Sequence, residues 1–138
     1  MVRALILIPL ALSACSEAPL CSSKVIEVAR DPGSDRYAAT ESRNCGATTD
    51  YATVVRVGRA SERQADAEEV FVADSNHGAA ASGPGGTIWT SVVWTASGQL
   101  WVNHASRARV FKHLSTAKGA NISYRSTDPI ASDSVPVP

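Results

Sequence analysis

The sequence predicts an all-β domain, a small antiparallel sandwich or rolled sheet of about seven to eight short strands. Three observations carry this. Short runs rich in Val, Ile, Thr and aromatic residues recur along the chain, separated by clusters of Gly, Pro, Asn, Asp and Ser. Only residues 60–68 read as helix-like, and they carry no apolar stripe. A chain of 138 residues with 44% hydrophobic and 19% charged side chains suits one globular domain, not a disordered one.

Each element follows from local pattern. Lys24 to Val28 is a first strand, and Asp31-Pro32-Gly33-Ser34-Asp35 is a dense turn signal after it. Tyr37 to Ser42 makes a second strand, ended by Asn44-Cys45-Gly46, and Tyr51 to Val57 a third. In that third run Tyr51, Thr53, Val55 and Val57 share one face by the period of two. Residues 60–68 form an exposed loop or a single helical turn. Val70 to Ala73 is a fourth strand, followed by a long loop, 74–86, rich in Gly, Ala and Ser. Loops of that length in compact domains are functional or mobile. Thr87 to Trp94 and Gln99 to Asn103 form a hairpin about Ala96-Ser97-Gly98. Arg107 to Lys112 and Ile122 to Tyr124 add two strands. From Ser126 the chain has little to bury and reads as a disordered tail, 126–138.

The first residues carry an address. Arg3 is followed by an apolar run, Ala4 to Leu12, and then by Ser13-Ala14-Cys15. That is the layout of a secretory signal, and the run is too short to span a bilayer permanently. Leu12-Ser13-Ala14-Cys15 resembles the bacterial lipobox. The resemblance implies cleavage after residue 14 and a triacyl anchor on Cys15, with residues 15–22 as a short lipidated tether and 23–125 as the β domain. Several acyl chains anchor stably where one does not. Ser16, in place of an Asp, directs the expectation to the outer membrane, facing the periplasm. Cys21 and Cys45 then remain. In an oxidising compartment two leftover thiols usually pair, closing a loop worth about 3 kcal/mol on the loop-entropy model. Two free thiols, or one reactive Cys, are the other readings.

Thirteen basic and thirteen acidic side chains balance, which argues against a dedicated nucleic-acid binder. The two signs are unevenly placed. Residues 15–74 hold eleven acids and seven bases, whereas 75–127 hold no acid and five bases: Arg107, Arg109, Lys112, Lys118 and Arg125. These cations either line solvated strand edges or make a positive face for an anionic glycan or an acidic protein.

The segment Asp74-Ser75-Asn76-His77-Gly78 concentrates the chain's polar chemistry. Asp74 and His77 at that spacing suit a general-base pair or a shared metal, but either use needs further groups. The structural alternative is a turn in which Asp74 and Asn76 bond backbone amides and Gly78 takes a positive φ. Ser82-Gly83-Pro84-Gly85-Gly86-Thr87 lacks the Gly-Lys-Ser/Thr ending of a phosphate loop and precedes a strand. The sequence calls for no cofactor and no metal. Trp89, Trp94 and Trp101 suggest an aromatic strip, although the opposite parity of Trp89 and Trp94 assigns two of the three to packing.

The run Arg43-Asn44-Cys45-Gly46-Ala47-Thr48-Thr49 resembles a segment of small uncharacterised bacterial lipoproteins and exported proteins. Further features of that family match in order: Cys21, Asp74 to Gly78, the Trp94–Trp101 hairpin and Arg109 to Phe111. The likeness covers residues 21–125. It departs at Asp31 to Asp35, where the family often has Ser-Pro-Asp-Gly. It implies a Cys21–Cys45 pair and a single β domain, and it brings no activity.

Three functional expectations follow. The first is a membrane-anchored, non-catalytic envelope lipoprotein that binds a protein or anionic envelope partner through the 74–86 loop, with Asp74, Asn76, His77, Arg107, Arg109 and Lys112 as candidate contacts. The second is an inhibitor of an attacking hydrolase such as lysozyme, using a rigid loop to enter a cleft. The third is a hydrolase built on Asp74 and His77.

Overall fold

The computed structural model of the protein describes residues 20–46 and 48–130. Two sheets pack face to face, so the chain is all-β as its pattern requires. The first sheet is a meander of β1 (Ser22–Arg30), β2 (Arg36–Asn44), β3 (Ala52–Arg59) and β4 (Glu68–Asp74), with β7 (Arg109–His113) added beyond β4. The second runs β5 (Thr90–Ala96), β6 (Gln99–His104), β9 (Ala120–Ser126) and the two-residue β8 (Thr116–Ala117).

One pairing departs from the antiparallel expectation: β6 and β9 are parallel. After β6 the chain crosses to the first sheet as β7, turns through β8 and re-enters from the same end. Residues 105–119 supply the long crossover that a parallel pair demands.

The core is made by alternation. Ala38, Val55, Val57, Phe71 and Ala73 from the first sheet meet Val92, Leu100, Val102 and Ile122 from the second. Thr53, Val55 and Val57 are fully buried on the face that the period of two assigns to them. Tyr51 precedes β3 and is 43% exposed, so it leaves that set. Val54 points the other way and is also fully buried. It lies in register between Glu41 and Val72, beside the ion pairs Arg43–Glu69 and Arg56–Glu41. Trp89 and Trp94 pack against the core, and the Trp94 indole N–H donates to the Ala29 carbonyl at 3.1 Å, tying the sheets together.

Several boundaries shift for identifiable reasons. β1 begins at Ser22, inside the span expected as tether, because Cys21 is bonded to Cys45 next to the Ser22–Asn44 pair. β5 begins at Thr90, not Thr87. The Ile88 N–H donates to Thr53 Oγ1 at 2.9 Å, and Ile88 bridges to Ser82, so these residues strap the preceding loop onto the core. Gln64–Asp66 form an exposed turn of 3₁₀ helix, and Pro84–Gly86 form a second one within the long loop. The tail expected from Ser126 stays attached further: the Thr127 N–H donates to the His104 carbonyl, and Asp128 accepts from the Ser106 N–H and hydroxyl. Cys15, the signal segment and residues 131–138 lie outside the described residues. Among the described residues no helix is long and apolar enough to cross a membrane.

Candidate functional site

The 74–78 turn sits where β4 ends, and its neighbours come from two other segments, one on each side. β3 pairs with β4 so that Ala52 faces Asp74, which brings the residue before the strand, Asp50, beside the turn. β7 pairs with β4 on the other side, with Arg109 facing Asp74.

Asp74 is 5% exposed and fully engaged. Its Oδ1 accepts the Asn76 N–H at 2.9 Å and Arg109 Nε–H at 3.2 Å, while Oδ2 accepts from Arg109 Nη2. Burial opposes its ionisation, but the Arg109 bonds and the Asn76 N–H outweigh that and hold the carboxyl below its usual range. The Asp74 bond in turn raises the Arg109 guanidinium above its ordinary value. A carboxylate held this way is a structural anchor.

Asp50, which sequence reasoning missed, fixes the rest of the turn. Its Oδ2 accepts the Ser75 hydroxyl at 3.1 Å and the His77 N–H at 2.9 Å. The Ser75 hydroxyl oxygen accepts the Gly78 N–H at 3.0 Å, and Asn76 Nδ2 donates to the Arg107 carbonyl at 3.4 Å. Asn76 and His77 both adopt left-handed backbone, φ 51° and 57°, and Gly78 follows at 84°. Such backbone is uncommon for residues other than Gly, and it persists here because the surrounding hydrogen bonds over-determine it. The start of the loop, residues 74–78, is therefore a tip pinned by hydrogen bonds. The second half of the loop is fixed too. Gly85 and Gly86 have positive φ, and a Cβ on Gly86 would stand inside van der Waals range of the Tyr51 ring.

The predicted candidates divide as follows. His77 is 78% exposed at the tip, with Nδ1 3.8 Å from Asp50 Oδ2, so the carboxylate within ion-pair range is that of Asp50, while Asp74 feels its charge from further off. Asn76 and Arg107 are exposed beside it. Arg109 is tied to Asp74. Lys112 lies on β7 opposite Val72, where its charge acts on Glu69, away from the tip. Lys118 pairs with Glu62 at 2.7 Å. Acids of the first half of the chain thus fold beside Arg109, Lys112 and Lys118, so the five cations of 75–127 do not form one uncompensated face. Asp50 was invisible in sequence because its place depends on which strands pair, and no local spacing encodes that.

Two histidines stand elsewhere. His104 and His113 line a small cavity of about 180 Å³ with Phe71, Val110 and Tyr124. Burial pushes the Tyr124 hydroxyl up to about 12, and it bonds to the Leu114 carbonyl at 2.7 Å. Among the described residues no group of three or more His, Cys, Asp or Glu side chains is placed to hold a metal ion. Compared with known proteins, the chain matches no family model, no curated protein sequence and no solved structure.

Proposed function

We propose that the protein is a lipid-anchored envelope lipoprotein that recognises a protein partner with the tip of its 74–86 loop and performs no chemistry there. One observation carries the reading. Asp74 is buried against Arg109 and the Asn76 N–H, so it orients no base, while three successive exposed residues, Asn76, His77 and Gly78, are presented in a fixed conformation. A recognition element prepared in this way loses little entropy when it binds. The lipobox-like junction at Cys15 supports the anchor, and the likeness of residues 43–49 to small exported lipoproteins supports the same address.

The test has two arms. Cells fed labelled palmitate label the wild-type chain and not Cys15→Ser; equal labelling of both contradicts the anchor. Envelope partners captured by the lipidated chain are lost from a His77→Ala, Arg107→Ala double variant whose Tm is unchanged. Undiminished capture contradicts the tip.

The rigidity of the tip also favours the inhibitor reading, since a pinned turn suits insertion into an enzyme cleft. Added protein would slow lysozyme clearing of a peptidoglycan suspension, and the double variant would not. Clearing unaffected by the wild-type chain removes that reading and leaves the envelope-partner reading standing.

A further inference from the structure

The outward face of the second sheet has a different chemistry from the loop. Along β6 and its neighbours, Val93, Trp101 and Ser123 lie in register, as do Ser91, Asn103 and Arg125. The open groove here, about 340 Å³, is lined by Val93, Thr95, Trp101, Asn103 and Arg125. Trp101 sits on a central strand and is only partly covered, and Val93 is 47% exposed. The Arg125 guanidinium lies over the Trp101 ring, 5.3 Å from its centroid. Among the described residues Arg125 forms no ion pair, and the whole sheet from Thr90 to Ser126 contains no Asp or Glu.

We propose that this face binds an oligosaccharide bearing carboxylates. The part of the Trp101 ring that Arg125 does not cover and the methyls of Val93 offer an apolar platform for the C–H face of a pyranose. Thr95 and Asn103 flank it with neutral donors and acceptors that match sugar hydroxyls. Arg125, held over the ring by the cation–π contact, keeps its planar fork of donors aimed at a carboxylate instead of searching for one. A protein anchor site would show a deeper apolar centre than one Trp and one Val provide. The absence of acids over the sheet favours a negatively charged ligand over a neutral one. This site shares no residue with the 74–86 tip.

The experiment is calorimetric titration of the full-length lipidated chain, in neutral detergent, with tetragalacturonate. Maltotetraose serves as the neutral sugar and sodium acetate as the anion without a ring. Tetragalacturonate binds, both controls bind at least about tenfold more weakly, and Arg125→Gln weakens tetragalacturonate by about tenfold or more. Trp101→Ala removes binding. Because Trp101 and Arg125 face outward, both variants keep the wild-type Tm; if Trp101→Ala unfolds, Arg125→Gln decides alone. His77→Ala binds as wild type does, which separates this site from the loop. No heat with tetragalacturonate up to about 10 mM overturns the proposal. So does equal binding of acetate, equal binding of maltotetraose, or an Arg125→Gln variant that binds normally.

Discussion

Two corners of the molecule use the same device to opposite ends. At Asp31, just past β1, and at Asp74, the last residue of β4, a carboxylate accepts the backbone N–H two residues on, at 2.9 Å in both cases, and pairs with an Arg. At Asp31 the carboxylate itself turns inward, while residues 32–35 of the turn stay at the surface. The carboxylate also accepts the Ser34 hydroxyl and, from the other sheet, the Gly98 N–H, each at 2.9 Å. Arg36 is itself largely covered, and Gly33 approaches Ser97 so closely that a Cβ would overlap its hydroxyl. At Asp74 the Arg partner is half exposed, and the turn sends Asn76 and His77 outward in left-handed backbone. The first corner joins two sheets. The second corner presents a tip. An Asx-type turn is thus functionally neutral by itself, and what decides its use is whether its donors come from the opposing sheet or from its own.

The largest expected effect is at the inward corner. Asp31→Ala leaves the buried Gly98 N–H without a partner and Arg36 without its anion, and should lower Tm by on the order of 10 °C. Thermal unfolding followed by circular dichroism checks this; a fall no larger than that of Asp74→Ala breaks the comparison.

Acid sharpens it. Burial opposes ionisation of Asp31, yet the Gly33 and Gly98 N–H groups with Arg36 and Ser34 hold its carboxyl well below the usual range, and Asp74 is lowered as well. Both folded-state carboxyls lie below their unfolded value, so their contribution is complete above the unfolded value, near pH 4, and is lost as pH falls through the folded value. Tm should hold between about pH 7 and 5 and drop below about pH 4. Asp31→Asn should flatten that drop more than Asp74→Asn does.

At the outward corner the effects are smaller. Asp74→Ala frees a half-exposed Arg109 into water and should cost about half the Tm loss of Asp31→Ala, on the order of 5 °C. Its distinguishing mark is local: amide exchange at Asn76 and His77 should accelerate while the core strands keep their protection. His77→Ala removes only an exposed ring and should move Tm by about 1 °C or less.

The strands were legible because they alternate. The β5–β6 hairpin could be read from Ala96-Ser97-Gly98, and Gly98 does take the left-handed φ of 72° that such a turn needs. The Cys21–Cys45 bridge is present with its sulfurs 2.03 Å apart. At the loop, the Asx bond from Asp74 to the Asn76 N–H and the positive φ of Gly78 were readable from residue type alone. What could not be read was everything set by pairing across long separations. Asp50 beside His77, Gly98 on Asp31 and Arg109 on Asp74 each depend on sheet order. The crossover that places β9 parallel to β6 is likewise non-local, and it is what puts Arg125 over Trp101.

In the proposed function the outward corner presents a recognition tip and the inward corner does not. Photo-crosslinking in living cells tests this most directly. A benzophenone side chain replaces His77 in one strain and Ser34 in another, in the full-length chain, and the cells are irradiated. Position 77 should give a discrete protein adduct and position 34 none. No adduct at 77, or the same adducts at both positions, would contradict it.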